Sequence, residues 1–309
     1  MTTDIVDNSN SVETKKRRKI LSVGLVQTAV SDNVSYNMKK TAEKVEEAAK
    51  KGAKIVCLQE LYRAKYFPQD ENCEADKFAE TIPGESTKLF SEIAARNKIC
   101  LVVPIFEKTP KGKYYNSAAM IDSDGKLLGW YRKIHIPCDP CFYEKNYFEA
   151  GDTGYAVFKT RYARVGVLIC YDQWFPEPAR VNTLMGADII FYPTAIGTIS
   201  GYDSSEGDWH EAWKTVQRAN AISNGVHIAA VNRVGQEGQL RFWGGSFVCD
   251  SFGQILKEAS SEKEEVLITK IDLNKNMEVR EGWGFLRNRR PDTYSALVSS
   301  NQLRYTDEK

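Results

Sequence analysis

Cys170 closes an apolar run, Val167-Leu168-Ile169, and opens a polar aromatic segment, Tyr171-Asp172-Gln173-Trp174. A helical pattern follows, with Pro178 in its first turn, where the missing N–H costs nothing. A thiol at such a strand-to-helix junction can use backbone N–H groups and the helix N-terminus. Both stabilise a thiolate and a developing oxyanion, so nucleophilic catalysis is the chemistry this thiol could do. Glu60 is a carboxylate that ends another apolar run, Ile55-Val56-Cys57-Leu58. Lys133 is a basic residue inside the alternating segment Tyr131-Arg132-Lys133-Ile134-His135. Taken singly, each residue also fits a plain structural role: a buried thiol among six others, a solvated strand end and a surface charge.

The surrounding elements must position these groups. Residues 20–27 read as a buried strand and 36–51 as a helix, with Ala42, Val45 and Ala49 on one face and Gly52 as its stop. A strand over 53–60 follows, ending at Glu60. The spacing predicts a helix over 85–97, strands over 100–107 and 114–121, and a strand over 162–170 that ends at Cys170. A helix over 177–185, a strand over 187–194, a helix over 211–224 stopped by Gly225, and a strand over 225–232 come next. Short strands complete the chain to about residue 271. Helix–strand alternation with paired strands in the middle and at the end points to a layered α/β sandwich.

Composition is ordinary for a protein with a full core: 42% hydrophobic and 27% charged over 309 residues. A net charge of +1 gives no electrostatic basis for nucleic acid as a partner. No apolar run is long enough to cross a bilayer. Residues 1–19 read as a flexible polar arm ending in a basic run, 20–298 as a single domain, and 299–309 as a polar tail. The odd count of seven cysteines and the lack of a secretory pattern predict reduced thiols in the cytoplasm.

Glu60, Lys133 and Cys170 also occur in the order and local contexts of a Glu-Lys-Cys triad. Five blocks in sequence, KIHIP, FYEKNYFEAGDTGYAVFKT, ICYDQWFPEPAR, GADIIFYPTAIGT and WGFLRNRRPDTY, resemble the nitrilase-like carbon–nitrogen hydrolases, and within them the N-carbamoylputrescine amidohydrolase branch. The likeness extends over 20–297. It implies a four-layer α-β-β-α sandwich and hydrolysis of a small N-carbamoyl amine, N-carbamoylputrescine giving putrescine, CO2 and ammonia. It further implies Cys170 as nucleophile, Glu60 as general base, and Lys133 with the backbone N–H of Tyr171 as oxyanion donors. Glu144 matches a second family glutamate that supports Lys133. No metal or organic cofactor is implied. The last block resembles a segment that crosses to a neighbouring subunit, so a homo-oligomer is expected.

The aromatic residues Tyr66, Phe67 and Trp174 could line a pocket or equally be packing, and the resemblance implies that the block with Thr194 and Ala195 lines it. Segment 202–208 carries Asp203, Glu206 and Asp208 and no basic residue. It could attract a distal ammonium or be a solvated acidic loop. Where relatives carry a Pro-Gly-type turn, this chain has Cys138-Asp139-Pro140-Cys141. With no second pair it fits neither a zinc site nor a helical redox motif, and reads as a loop near the pocket. The three histidines, His135, His210 and His227, read as hydrogen-bonding residues, because a Cys–His dyad needs spatial adjacency. A β-ureidopropionase, an N-carbamoyl amino acid or aliphatic amide hydrolase, and a silent scaffold on the same fold are the alternatives. The segment after Tyr171 lacks the basic residue typical of carboxylate-binding branches, which favours an uncharged or cationic substrate.

Overall fold

The computed structural model describes residues 19–202 and 205–299. Most of the N-terminal arm and C-terminal tail, and Asp203 of the acidic segment, lie outside these residues.

The first half of the chain comprises β1 (Ile20–Gln27), α1 (Val34–Lys50), β2 (Ile55–Leu58), α2 (Glu85–Asn97), β3 (Cys100–Lys108), β4 (Tyr114–Ile121) and β5 (Leu127–Arg132). The second half comprises β6 (Val157–Lys159), β7 (Arg164–Val167), α3 (Pro176–Leu184), β8 (Ile189–Pro193), β9 (Gly197–Ile199), α4 (Trp209–Asn224), β10 (His227–Val231), β11 (Val234–Glu237), β12 (Leu240–Trp243), β13 (Phe247–Cys249), β14 (Ile255–Glu258), β15 (Glu265–Asp272) and α5 (Asn274–Trp283). One six-stranded sheet runs β15-β1-β2-β3-β4-β5 and the other β14-β13-β10-β8-β7-β6, beside a small sheet β11-β12-β9.

Strand periodicity explains the layering. Successive side chains point to opposite faces, so an apolar run buries both. On β2, Ile55 and Cys57 pack into the cluster shared with Val165, Ile189 and Ile228 of the second sheet. Val56 and Leu58 face the other way, against Val45, Phe90 and Ile93 of α1 and α2. Parallel pairs β1–β2 and β2–β3 require crossovers, which α1 and α2 supply. The second sheet repeats this with β7–β8 and β8–β10, crossed by α3 and α4. The result is a four-layer α-β-β-α sandwich. Asp208 caps α4 by accepting the N–H of His210 and Glu211, and Gly225 ends it at φ 56°.

Among the strands that are shorter than the sequence suggests, two lie beside the candidate site. β2 stops at Leu58, two residues before Glu60, and β7 stops at Val167, three before Cys170. Both chains leave the ladder into turns with left-handed residues, Leu61 at φ 48° and Cys170 at φ 41°. Such turns lift a side chain off the strand end, which an apolar run does not reveal.

Candidate active site

The site forms where loops after β2, β5 and β7 meet. Lys133 follows β5; its N–H donates to the Asn116 carbonyl (2.8 Å), and its own carbonyl accepts from Gly151 (2.8 Å). A β-carbon at Gly151 would lie 2.2 Å from the Arg132 carbonyl oxygen, so only glycine permits this approach. The Lys133 ammonium is fully buried between two buried carboxylates: it donates to Glu60 Oε1 at 3.0 Å and to Glu144 Oε2 at 2.6 Å. An unpaired buried ammonium would cost several kcal/mol, so the carboxylates are what permits it. Burial works against the charge of Lys133, but Glu144 and Glu60 outweigh it and raise its pKa. Glu144 Oε1 accepts the Tyr66 hydroxyl (2.7 Å), and Glu60 Oε1 accepts Asn116 Nδ2 (2.7 Å). Glu60 Oε2 is buried and has no hydrogen-bond partner among the described residues. One oxygen of Glu60 is thus anchored and the other is open to take a proton.

Cys170 begins a short 3-10 turn, Cys170–Trp174. Asp172 fixes it. Fully buried, its Oδ2 accepts the Ile169 N–H (2.9 Å) and the Tyr131 hydroxyl (2.8 Å), and its Oδ1 accepts the His135 N–H (3.1 Å) and contacts the ring Nδ1 (2.8 Å). His135 stacks on Phe175, with centroids 3.9 Å apart. The Cys170 thiol contacts the Ala195 carbonyl at 3.9 Å. Burial, reinforced by Glu60, pushes this thiol well above its usual range, against the opposing pull of Lys133. At rest the sulfur is therefore a thiol that must lose its proton as it reacts. Burial also raises the pKa of Glu144, against Lys133.

A cavity of about 550 Å³ opens above these groups. Cys170 and Glu144 reach its floor, and Tyr171, Trp174, Ala195 and Ile196 form walls. At the mouth lie Asp139, Glu206 and Asp208, with Tyr202 and Trp209, whose rings are 5.6 Å apart. No lysine, arginine or histidine among the described residues lines it.

Glu60, Lys133, Glu144 and Cys170 therefore come together from three separated loops. Tyr66 stands behind the site as the partner of Glu144. Phe67 does not line the cavity: it packs against Phe106, Tyr147 and Phe148 in an aromatic cluster under the loops. Thr194 is also absent from the lining; its hydroxyl is bonded to the Tyr192 carbonyl (3.0 Å). Asp139 and Pro140 of the Cys138–Cys141 turn do reach the cavity, and all seven cysteines are free. His227 bonds Asn276 and His210 stacks on Trp243. No group of three or more His, Cys, Asp or Glu residues among those described is placed to hold a metal. Asn116, which donates to Glu60, and Asp172, which holds the Cys170 turn, are supports that sequence reasoning missed.

Cys170 and Glu144 line the cavity, whereas Glu60 and Lys133 do not. A four-layer sandwich with this buried Glu-Lys-Cys cluster suits the hydrolysis of carbon–nitrogen bonds. Residues 22–281 match the carbon-nitrogen hydrolase family, and the chain belongs to it. It is 42% identical over 288 residues to an N-carbamoylputrescine amidase of Oryza sativa subsp. japonica, covering 90% of this chain and 95% of that one. A citrullinase of Francisella tularensis is 38% identical over 286 residues, covering 90% of this chain and 98% of that one. The crystal structure of a carbon-nitrogen hydrolase from Helicobacter pylori G27 superposes with a TM-score of 0.87 at 40% identity, covering 92% of this chain and all of that one. No helix among the described residues is long and apolar enough to cross a membrane.

Proposed function

We propose that this amidohydrolase cleaves an N-carbamoyl amine bearing a distal ammonium, with N-carbamoylputrescine as substrate and putrescine, CO2 and ammonia as products. The observation that carries this reading is the mouth: three carboxylates and an aromatic pair, with no basic residue among the described ones, above a buried thiol. Ammonium groups are attracted to carboxylates and to aromatic faces, and carboxylates are repelled.

In this mechanism Glu60 Oε2 takes the Cys170 proton as sulfur attacks the urea carbon. The carbonyl electrons move to oxygen, where Lys133 and the Tyr171 N–H, in the first turn of the 3-10 segment, hold the charge. Collapse expels one nitrogen, which takes the proton from Glu60 and leaves a thiocarbamate on sulfur. Glu60 then deprotonates water, which attacks the same carbon. The thiol leaves with the proton, and the released carbamate divides into CO2 and an amine. Glu144 keeps Lys133 charged and aimed.

The domain is read as one catalytic unit over 20–298, cytoplasmic and homo-oligomeric. The exposed Trp283, Leu297 and Val298 support self-association through the C-terminal segment. The test is kcat/KM for ammonia release from N-carbamoylputrescine, N-carbamoyl-β-alanine and L-citrulline at pH 8 and low salt. N-carbamoylputrescine is expected to win; preference for either carboxylated compound would overturn the cation-binding reading.

A further inference from the structure

Arg233 lies in the link between β10 and β11, yet its guanidinium is fully buried and serves the loop after β2, in the other sheet. Its Nη2 donates to the carbonyls of Glu60 (2.7 Å) and Leu61 (2.9 Å), and Nη1 reaches that of Ala64 (3.4 Å). Nη1 also pairs with both oxygens of Glu237, at 2.9 and 3.0 Å. Glu237 Oε2 accepts the Tyr66 N–H (2.7 Å), and the Tyr66 hydroxyl donates to Glu144 Oε1 (2.7 Å). One continuous brace therefore begins at the main chain of Glu60 and ends at the carboxylate of Glu144. These are the two groups on either side of the Lys133 ammonium.

The Glu60 turn needs such support. Leu61 sits at φ 48°, a conformation that side chains with a β-carbon rarely adopt. The Glu60 and Leu61 carbonyls have left the strand ladder in a buried region and must find donors. A guanidinium presents several donors in a fixed plane, so it can satisfy both carbonyls and a carboxylate together. The preceding residue works on the opposite wall. Asn232 accepts the Ile196 N–H (3.0 Å) and donates to the Ile196 carbonyl (2.9 Å), next to Ala195, whose carbonyl meets the Cys170 thiol.

We propose that Arg233, together with Glu237, is a positioning residue that sets the spacing of Glu60 and Glu144 about Lys133 and so aims the free oxygen of Glu60 at the Cys170 thiol. This rests on the reading of Glu60 as the base.

Arg233→Lys tests it. Lysine keeps the charge beside Glu237 but cannot serve two carbonyls and a carboxylate with one planar fork. Misplacing a base by about an ångström costs on the order of a hundredfold in rate. The expected result is a kcat lowered by that order with KM within about threefold of wild type. Alkylation of Cys170 by iodoacetamide should slow in parallel. A merely structural role would instead loosen the site, raising KM and exposing the thiol to faster alkylation, and that pattern overturns the proposal. So does a wild-type kcat. If the lysine variant does not fold, Glu237→Gln and Tyr66→Phe cut the same brace further along. Both must lower kcat and slow alkylation, and an unchanged kcat in either overturns the proposal. Glu60→Gln, measured alongside, separates the two ideas. An inactive Glu60→Gln with a normal Arg233→Lys leaves the base assignment standing and removes only the brace, whereas an active Glu60→Gln removes both.

Discussion

The floor of the cavity and its mouth are both acidic, but they hold their charge in opposite ways. Glu144, which lines the floor, and Glu60, which does not, are wholly buried and share one lysine. At the mouth, Asp139, Glu206 and Asp208 are exposed. Asp208 spends one oxygen capping α4, and its carboxyl is held below the usual range by the Glu211 and His210 N–H groups. Charges on the floor act at low dielectric and in fixed geometry, whereas those at the mouth are screened by water and salt. Under the proposed mechanism, the buried groups would govern the rate of bond cleavage and the mouth would bias which substrate arrives.

The largest effects are therefore expected on the floor. Cys170→Ala should abolish turnover with the fold intact, while Cys57→Ala, Cys100→Ala and Cys249→Ala keep the chemistry, as followed by ammonia release. Glu60→Gln and Lys133→Met should each lower kcat by roughly a hundredfold or more. Retention of more than about a tenth of the wild-type rate would mean the role is wrongly assigned. The raised pKa of Cys170 adds a pH signature. Without its base, the Glu60→Gln thiol must ionise by itself. Its alkylation should then climb by about tenfold per pH unit through the neutral range. A pH-independent alkylation rate would show a preformed thiolate and contradict base catalysis.

An intermediate effect is expected at Asp172, which holds the nucleophile turn without lining the cavity. Asp172→Asn replaces an acceptor oxygen with a donor facing N–H or O–H groups. Hydrogen bonds to a charged acceptor are worth about 1.5–3 kcal/mol each. The variant should melt lower by about 5 °C or more and lose part of its kcat. An unchanged melting curve and rate would show that the turn holds itself.

How much of this was legible in the sequence follows from the range of the forces involved. Helix α2 falls where the spacing of Leu89, Phe90 and Ile93 predicts it, because amphipathicity is local. The strand ends beside Glu60 and Cys170 were overrun, because apolar residues continue into the turns. Helix α5 was not visible: apart from Met277, Val279 and Trp283 it is polar or glycine, and its buried Asn276 docks on His227 and the Asp188 carbonyl. The grouping of Glu60, Lys133, Glu144 and Cys170 was legible through their surrounding blocks. Their supports were not, since Asn116 is 56 residues from Glu60 and Arg233 is 173 away, and no local pattern marks such pairs. Asp139 was hidden behind the two cysteines that flank its turn.

The smallest effects belong to the mouth. Asp139→Asn, Glu206→Gln and Asp208→Asn, made singly, should raise KM for N-carbamoylputrescine by about a few-fold each, with kcat little changed, since exposed pairs are weak. Added salt should shrink the difference from wild type. A fall in kcat from any of them would break the division between floor and mouth.

The most direct measurement is acid quenching of the enzyme during turnover of N-carbamoylputrescine, followed by peptide mass spectrometry. The account predicts a carbamoyl-type adduct on the Cys170 peptide, lost on dilution into water and absent from Cys170→Ala. An unmodified Cys170 throughout turnover, together with continued ammonia release by Cys170→Ala, would contradict it.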